Sequence, residues 1–552
     1  MKMKKFYLSL FFVTLLAFAA FSQQVPRNKV IVEIATGTWC QYCPGSAMGA
    51  DDLIANGYEV AIVEYHNGDP YATTQSNARI SYYNVSGFPT AFFDGGNSVV
   101  GGSNTQSMFP QYSAKVNARM AVLSSFTIDV EGTHSCLSDF TAHITLNKVA
   151  TNNSSNLKLH AVLTESHIED SWQGMDEVNY VCRQMIPNQN GTAISFTSGN
   201  TQTVDLTFTL DPTWVFEECE LVVFLQDVGT KEIFQGTKLA LTEFVPEKNY
   251  DATVKSLFNI PKSSCTGTFE PTVDIRNIGA QTMNSVDIVY NVNGGAAQTF
   301  SWTGSLDYLS QETVSLPPIA FTGEENNALV VYTSNPNGNS DECPDNDQVT
   351  LSVPEAMHTP NTVKLIMRTD ANPDETTWEV TNPAGEVMYS GGPYSSSGQM
   401  IQETFEFADE SCFTFTIYDA AGNGISVPGF YMLYHGSNTQ ISQGTDFGYK
   451  DVVDFNTADP VGIGEQFANA GVTVYPNPTF DKTSFIVTLK EASNVSYKIY
   501  SVTGQMVAES AGTMMDAGQH GITVDASAWN AGLYIYKVQI GKDSFTGKLT
   551  VR

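Results

Sequence analysis

Two cysteines separated by two residues are the side chains of this sequence with the clearest chemical potential. Cys40 and Cys43 stand in "EIATGTWCQYCPGSAMGA", residues 33–50, after a strand-like apolar run and before a helix-like run. Such a pair is a redox couple, half of a metal site or a structural disulfide. At a strand-to-helix junction the unpaired N–H groups of the helix favour a thiolate. We therefore expect Cys40 to be the nucleophile and Cys43 the resolving thiol.

The rest of the sequence disfavours a metal site at this pair. A structural zinc ion takes four ligands, and no second closely spaced pair of cysteines or histidines completes the set. Position 44 is proline, so the histidine of a c-type haem attachment is absent. We expect no metal ion and no other cofactor. The alternative that stays open is a structural disulfide that never turns over.

The N-terminus indicates export. Residues 1–22 combine early lysines, an apolar run from Phe6 to Phe21 and small residues at the end, which is typical of a secretory signal peptide. We expect a mature chain that begins near Gln23 and has no transmembrane segment. The 58 acidic and 27 basic side chains give a net charge of −31, which disfavours nucleic acid as a partner.

Export also changes how the eight cysteines are interpreted, because disulfides persist outside the cytoplasm. We expect Cys136 to pair with Cys219 and Cys265 with Cys343, each pair within one β-domain. Cys182 and Cys412 are then expected to be buried thiols. Spacing alone leaves the connectivity open.

Hydrophobic periodicity divides the chain into an α/β head and four β-modules. From residue 28 to about 120, apolar strand runs alternate with helical stretches, and thereafter short alternating runs are separated by Asn, Gly and Ser clusters. The predicted fold class is therefore multidomain α/β plus all-β. The predicted segments are a signal peptide (1–22), the head (23–121), a β-sandwich (122–245), a second β-domain (246–356), a third (357–458), a linker (459–471) and a C-terminal β-domain (472–552).

The head resembles the thioredoxin superfamily in Trp39, Cys40 and Cys43 and in "VSGFPTAFFDG", residues 85–95. The resemblance implies a thioredoxin-like fold in which Pro89 is cis and faces the cysteine pair. It further implies that the backbone of Phe88 binds extended substrate.

The resemblance also assigns a role to Glu33, an acid inside the apolar run "VIVEI". Glu33 would be the buried carboxylate that accepts a proton from Cys43. His66 could face the pair as well, although a histidine with satisfied hydrogen bonds at a strand end is the simpler interpretation.

A narrower resemblance covers residues 29–241 through "VEYHNGD", "VNYVCRQMIP" and "VVFLQDVGTKEIFQG". These segments are similar to the twenty-eight-kilodalton outer-membrane-protein family of Bacteroidetes. That family implies a thioredoxin-like head joined to a β-sandwich.

The C-terminal residues carry the most specific motifs of the chain. "VYPNP", "IYSVTGQMV", "NAGLYIYKV" and "GKLTV", between residues 474 and 551, resemble the C-terminal sorting domain of type IX secretion substrates. The resemblance implies a partnership with the type IX machinery, passage across the outer membrane, removal of the tail near the linker and anchoring at the cell surface.

The remaining β-modules show weaker resemblances. Residues 357–458 resemble the β-sandwich appended to secreted bacterial peptidases, and residues 246–356 resemble immunoglobulin-like adhesion modules. No H-E-x-x-H, G-x-S-x-G or P-loop motif accompanies them. Asp419 with Asn423, and the acidic run "SDECPDNDQ" at 340–348, are interpreted as turns and not as calcium sites.

Two functions follow as expectations. The first is an exported cell-surface thiol–disulfide oxidoreductase that acts on exported proteins bearing thiols or disulfides. The second is a cell-surface binding or adhesin-like protein whose cysteine pair only closes the head.

Overall fold

The computed structural model of the chain describes residues 23–265, 267–408, 410–436, 439–457 and 470–552. The predicted signal peptide lies outside the described residues, as do residues 459–469 of the predicted linker. The chain forms two compact units, one ending at Asn456 and the other beginning at Thr457. Among the described residues, no helix is long and apolar enough to cross a membrane.

The α-helices of the described residues all lie before residue 121. They are α1 (Pro44–Ala55), α2 (Thr74–Tyr82) and α3 (Phe109–Met120). The strands up to residue 246 are β1 (Val30–Thr36), β2 (Val60–His66), β3 (Thr90–Phe93), β4 (Gly96–Val100), β5 (Phe126–Ser135), β6 (Asp139–Lys148), β7 (Leu157–Glu165), β8 (Ile168–Trp172), β9 (Met175–Val178), β10 (Val181–Ile186), β11 (Thr192–Ile194), β12 (Thr201–Thr209), β13 (Cys219–Asp227), β14 (Ile233–Ala240) and β15 (Val245–Pro246).

Most of these strands form one nine-stranded sheet. Its order is β14-β13-β7-β10-β2-β1-β3-β4, with β11 beside β7. Strands β1 and β2 are parallel, whereas β3 and β4 complete that end of the sheet in antiparallel pairing. A second sheet has the order β12-β6-β5-β15, and β8 and β9 form a separate hairpin.

Helices cover both faces of the sheet at β1 and β2. Val32 and Ile34 of β1 pack with Leu53 of α1 and Val116 of α3 on one face. Ile80 of α2 packs on the opposite face. Helix α2 begins where the side chain of Thr73 accepts a hydrogen bond from the Ser76 N–H (2.9 Å), a common N-cap arrangement.

The four-stranded sheet covers the other end of the large sheet. Alternate residues of β7 and β13, including Leu163 and Leu221, pack in one cluster with Phe140 and Ile144 of β6. This alternation follows from the two-residue period of a strand. The helix-covered end and the strand-covered end of the sheet therefore each have their own hydrophobic clusters.

The predicted fold class was wrong about the head. The chain is nearly all β, with 53% strand against 9% helix, so no thioredoxin-like α/β head stands apart. Strand β10 pairs with β2 at Val181 and Glu64, and β7, β13 and β14 extend the same sheet. Periodicity identified the local elements but carried no information on this pairing between distant segments. The expectation of a β-rich multidomain chain is consistent with the structure.

The rest of the first unit contains two groups of strands. The first group is β16 (Ala252–Phe258), β17 (Thr268–Phe269), β18 (Thr272–Asn277), β19 (Met283–Val292), β20 (Gln298–Leu306), β21 (Gln311–Ser315), β22 (Ile319–Ala320), β23 (Asn326–Ser334) and β24 (Gln348–Pro354). Sheets β16-β18-β21 and β20-β19-β23-β24 enclose one hydrophobic cluster, and β17 pairs with β22.

The second group has its own cluster between two sheets. Its strands are β25 (Met357–His358), β26 (Thr362–Arg368), β27 (Thr376–Thr381), β28 (Val387–Gly391), β29 (Met400–Glu406), β30 (Cys412–Asp419), β31 (Phe430–His435), β32 (Thr439–Gly444) and β33 (Lys450–Asn456). The sheets have the orders β25-β33-β30-β27-β28 and β29-β26-β31-β32. The division of the chain into domains at the predicted boundaries stays a prediction.

The second unit is a two-sheet β-structure. Its strands are β34 (Ala470–Tyr475), β35 (Lys482–Leu489), β36 (Ser493–Ser501), β37 (Met506–Met515), β38 (Gly518–Asp525), β39 (Gly532–Ile540) and β40 (Asp543–Val551). The sheets have the orders β34-β35-β38 and β37-β36-β39-β40. Gly504, at a φ of 84°, lies in the turn between β36 and β37.

A buried ion pair joins β1 to α2. Arg79 Nη2 lies 2.5 Å from Glu33 Oε1, and the Tyr65 hydroxyl donates to the same oxygen at 2.9 Å. The Tyr83 hydroxyl donates to Glu33 Oε2, and Arg79 Nη1 donates to the Gln226 side chain at 3.1 Å. Both oxygens of the Glu33 carboxylate are thus hydrogen-bonded.

Glu33→Gln is expected to lower the free energy of opening of this part of the sheet by about 3–5 kcal/mol, because Arg79 would stay buried without a counter-charge. Hydrogen exchange of the β1 amides measures this free energy. The control is Glu59→Gln, which breaks the exposed pair with Lys29 (2.7 Å) and should cost less than about 1 kcal/mol. Equal losses of opening free energy in the two variants would contradict the assignment of Glu33 and Arg79 as a buried ion pair.

Candidate functional site

The cysteine pair lies between the end of β1 and the start of α1. Cys43 is the N-cap residue of α1, and Pro44 begins the helix, where its missing N–H has no helical partner to lose. Cys40 and Cys43 are joined by a disulfide. The N-terminus of α1, the positive end of its helix dipole, therefore lies beside the pair, where it favours a thiolate.

Three further residues of the predicted site come together with this pair. The rings of Trp39 and Phe88 meet edge to face, with centroids 5.5 Å apart, and Phe88 packs against the cluster that contains both cysteines. The Phe88–Pro89 peptide bond is cis. A methyl group on Gly102 would lie 2.2 Å from the Tyr42 carbonyl oxygen and 2.8 Å from Pro89 Cγ. Only glycine fits between the cysteine loop and Pro89.

Glu33 is not brought to the pair. Its side chain bonds to Arg79, Tyr65 and Tyr83. Ile34, the next residue along β1, packs with α1, and adjacent residues of a strand point to opposite faces. The carboxylate of Glu33 thus lies on the face of the sheet away from α1.

A different carboxylate lies on the α1 face. Glu64 of β2 is in register with Ile34, and it is buried. Its Oε1 atom has no hydrogen-bond partner within the described residues. Asp51 of α1 is near it, and burial together with the charge of Glu64 raises the pKa of Asp51 to about 6. The alternation in "VEYH" could have identified Glu64, because it places Glu64 and His66 on one face.

His66 connects Glu64 to a second acid. Its Nδ1 atom lies 2.7 Å from Asp69 Oδ2, and its Nε2 atom lies 3.7 Å from Glu64 Oε2. Burial alone would lower the pKa of His66, but the hydrogen bond to Asp69 and the charge of Glu64 outweigh it and raise the pKa to about 9. His66 also meets the ring of Tyr71, which packs against the cysteine cluster.

The hairpin of β8 and β9 covers the pair. Trp172 and Val178 are buried against Cys40 and Cys43. Cys40 is 4% exposed and Cys43 is not exposed at all, whereas the neighbouring Trp39 is 51% exposed. A cleft of about 420 Å³ runs between Trp39 and the hairpin. It is lined by Thr38, Trp39, Gly68, Asp69, Pro70, Asp170, Ser171, Trp172 and Gln173.

The other two disulfides differ from the predicted pairs. Cys136 bonds to Cys343 and Cys265 bonds to Cys412, so the predicted pairs Cys136–Cys219 and Cys265–Cys343 were wrong. Both bridges connect groups of strands that are far apart in sequence, with separations of 207 and 147 residues. Spacing within one group could not indicate them.

Two cysteines are free thiols. Cys182 and Cys219 are buried in the large sheet, and burial raises the pKa of each thiol to about 12. Cys412, predicted to be a thiol, is disulfide-bonded. Neither free thiol is a nucleophile at neutral pH.

The Asp419 turn fits its predicted explanation. Asp419 Oδ1 accepts hydrogen bonds from the Gly422 N–H (2.6 Å) and the Asn423 N–H (3.0 Å). Gly422 and Gly424 have φ angles of 82° and 64°, which glycine adopts without strain.

The C-terminal residues indicate where the protein is located. Residues 473–552 match the family model described as the secretion system C-terminal sorting domain. The protein is secreted across the outer membrane and attached at the cell surface. Its export involves the type IX secretion machinery. No curated protein matches the chain.

Solved structures show only distant likeness. HBP35 of Porphyromonas gingivalis has a TM-score of 0.36 at 13% identity and covers 60% of this chain and 99% of its own. The CARDB domain of the PF1109 protein from Pyrococcus furiosus, in complex with di-metal ions, has a TM-score of 0.16 at 18% identity. The match covers 20% of this chain and 92% of its own. Dimeric latent PorU from Porphyromonas gingivalis has a TM-score of 0.14 at 11% identity. The match covers 78% of this chain and 34% of its own. At such TM-scores the likeness supports no conclusion on function. The resemblance of residues 29–241 to the twenty-eight-kilodalton family stays a prediction.

We predict that His66 is protonated at neutral pH and titrates near 9, whereas His134, whose pKa burial lowers to about 4, is neutral. NMR of histidine-labelled protein measures both pKa values, and the variants His66→Gln and His134→Gln assign the two signals. Because the pKa of His66 exceeds its unfolded value of about 6.5, its contribution to stability is complete below that pH. It should be lost as the pH rises through 9. A pKa of about 6.5 for His66 would contradict its contacts with Asp69 and Glu64.

Proposed function

We propose that the disulfide of Cys40 and Cys43 exchanges with thiols or disulfides of other exported proteins. The observation that carries the proposal is the position of the pair at the N-terminus of α1, beside the exposed ring of Trp39, which lines a cleft. A helix N-terminus lowers the pKa of a neighbouring thiol and so makes it a better leaving group. The fold class of the head plays no part in this argument.

The exchange balances without any further reagent. A thiolate of the partner attacks Cys40 Sγ, the Cys40–Cys43 bond breaks, and Cys43 leaves as a thiolate beside the first turn of α1. A second thiolate of the partner then attacks the partner's sulfur in the mixed disulfide and releases Cys40. Two electrons pass from the partner to the pair, the partner gains a disulfide, and its two thiol protons are released or pass to the pair. The reverse sequence reduces a partner disulfide.

Burial decides which sulfur is attacked. Cys43 is fully buried at the N-cap, whereas Cys40 keeps a small exposed fraction next to Trp39. The partner therefore forms its mixed disulfide with Cys40, and Cys43 resolves it when the pair reduces a partner disulfide. This assignment agrees with the roles expected from the sequence.

The surface around the cleft suits an extended, partly apolar chain. Trp39 and Tyr42 are each about half exposed, and Phe88 borders Trp39. We propose that Trp39, Phe88 and Pro89 bind the partner segment that carries the reactive sulfur.

One observation favours the alternative function. Trp172 and Val178 cover the pair so completely that Cys40 is 4% exposed, which suits a structural disulfide in a surface binding protein. Under the proposed function this cover must move aside when a partner binds. The hairpin therefore distinguishes the two functions.

Cys43→Ser leaves Cys40 as a free thiol, which is expected to attack disulfides of exported proteins and to stay bound to them in mixed disulfides, because Cys43 is not there to release the partner. Non-reducing gels of the full-length protein from the cell surface, followed by mass spectrometry, identify these adducts. The control is Cys219→Ser, which removes a buried free thiol of raised pKa and should trap nothing. Absence of adducts on Cys43→Ser, with the protein normally folded and exported, would favour the binding protein.

Trp172→Ala is expected to speed reduction of the Cys40–Cys43 disulfide by a small thiol at least about tenfold, equivalent to weakening the cover by about 1.4 kcal/mol. Alkylation of the released thiols and mass spectrometry follow the rate in the full chain. Trp172→Phe keeps an aromatic cover and should stay close to the wild-type rate. Equal rates in all three proteins would show that the hairpin does not limit access.

A further inference from the structure

Three aspartates from separate parts of the β16–β24 group meet in space. Asp251 directly precedes β16, Asp347 directly precedes β24, and Asp341 lies in the loop between β23 and β24. One carboxylate oxygen of each lies within 4.8 Å of the others. The fold thus brings three negative charges into a space the size of one ion.

Hydrogen bonds hold Asp341 in place. Its Oδ2 atom accepts from the Ala252 N–H at 2.9 Å, and its Oδ1 atom accepts from the Cys343 N–H at 2.7 Å. These two backbone N–H groups therefore orient the Asp341 carboxylate toward the other two carboxylates. The cluster is fixed by the fold and is not a chance meeting of surface side chains.

Unpartnered oxygen atoms point to a ligand. Asp251 is 1% exposed and Asp347 is 7% exposed, yet Asp251 Oδ2 and Asp347 Oδ1 have no hydrogen-bond partner within the described residues. The side-chain oxygen of Asn346 is also buried without a partner, while its Nδ2 donates to Asp251 Oδ1 at 3.2 Å. Leaving a buried polar atom unpaired costs about 1–3 kcal/mol and more for a charged group.

The surrounding charges are also negative. In the described part of the chain no salt bridge involves these three aspartates, and the neighbouring Glu342 and Asp345 add to the repulsion. A bound cation would remove both the repulsion and the unpaired oxygens.

We propose that Asp251, Asp341 and Asp347 bind a calcium ion, with the Asn346 side-chain oxygen as a further ligand. Calcium takes six to eight oxygen ligands, and carboxylate and carboxamide oxygens suit it, with water completing the shell. The sulfurs of Cys136 and Cys343 are also close to Asp251, but they are joined in a disulfide and supply no thiolate for zinc. The site lies in a secreted protein, and extracellular modules bind calcium at about 10⁻⁴–10⁻³ M.

With the ion bound, the acidic loop would be held at two points, the disulfide and the ion. The disulfide from Cys343 to Cys136 already ties the loop to the turn between β5 and β6. Calcium would add a link from Asp341 to the starts of β16 and β24. The acidic run at residues 340–348 is therefore more than the solvated turn expected from its sequence, although Asp345 is exposed as that expectation requires.

Isothermal titration of the exported full-length protein with calcium, after treatment with a chelator, tests the proposal. The wild type should bind one calcium ion at this site, and Asp347→Asn should bind it at least about tenfold more weakly, because a charged ligand is lost. The matched control is Asp345→Asn, which removes the same charge from the same loop and should bind within a few-fold of the wild type.

Two further measurements separate binding from a fold defect. In chelator, Asp347→Asn should unfold at the same temperature as the wild type or higher, because one repelling charge is gone, while its stabilisation by calcium disappears. Calcium should slow hydrogen exchange of wild-type peptides that contain Ala252 and Cys343. The proposal is overturned if the wild type takes up no calcium up to about 10⁻² M, above the range of extracellular calcium modules. It is equally overturned if Asp347→Asn binds like the wild type, or if calcium protects other peptides only.

Discussion

Backbone pairing between β2 and β10 is the constraint on which the arrangement around the cysteine pair depends. The Glu64 N–H donates to the Tyr180 carbonyl at 2.7 Å, and Val181 stands opposite Glu64 in parallel register. This contact joins the helix-containing part of the chain to the strands that follow in one sheet. It also places the β8–β9 hairpin, which ends two residues before β10, over Cys40 and Cys43. The large sheet therefore positions both the cysteine pair and the separate hairpin that covers it.

The two faces of this sheet carry separate groups of buried charges. On one face Glu33 and Arg79 neutralise each other, and tyrosine hydroxyls complete the hydrogen bonds of the carboxylate. On the α1 face Glu64, His66 and Asp69 form a second group, in which one oxygen of Glu64 is unpaired. Buried charges are costly unless they are paired. The first group meets this condition fully, whereas the second keeps one carboxylate oxygen, Glu64 Oε1, without a hydrogen-bond partner among the described residues.

Sequence patterns predicted the local features of this site but not the long-range ones. The strand-to-helix position of Cys40 and Cys43 followed from hydrophobic runs and Pro44, and motif similarity marked the sorting domain, which the family match supports. Glu33 was misplaced because one residue along a strand reverses the face of a side chain. The disulfide partners and the hairpin cover depend on contacts between segments more than 100 residues apart, which periodicity does not encode.

Export to the cell surface requires the β-rich chain to hold its shape outside the cell, and two long-range disulfides contribute to this by shortening the free loops of the unfolded chain. The central claim is that the Cys40–Cys43 bridge differs from these two in being open to exchange. Equilibration of the full-length protein in thiol–disulfide buffers, with alkylation and mass spectrometry of each cysteine, tests this most directly. We expect the Cys40–Cys43 bridge to be reduced at a potential above about −300 mV while the other two stay oxidised, as structural disulfides do. A Cys40–Cys43 bridge that resists reduction together with the other two would contradict the account.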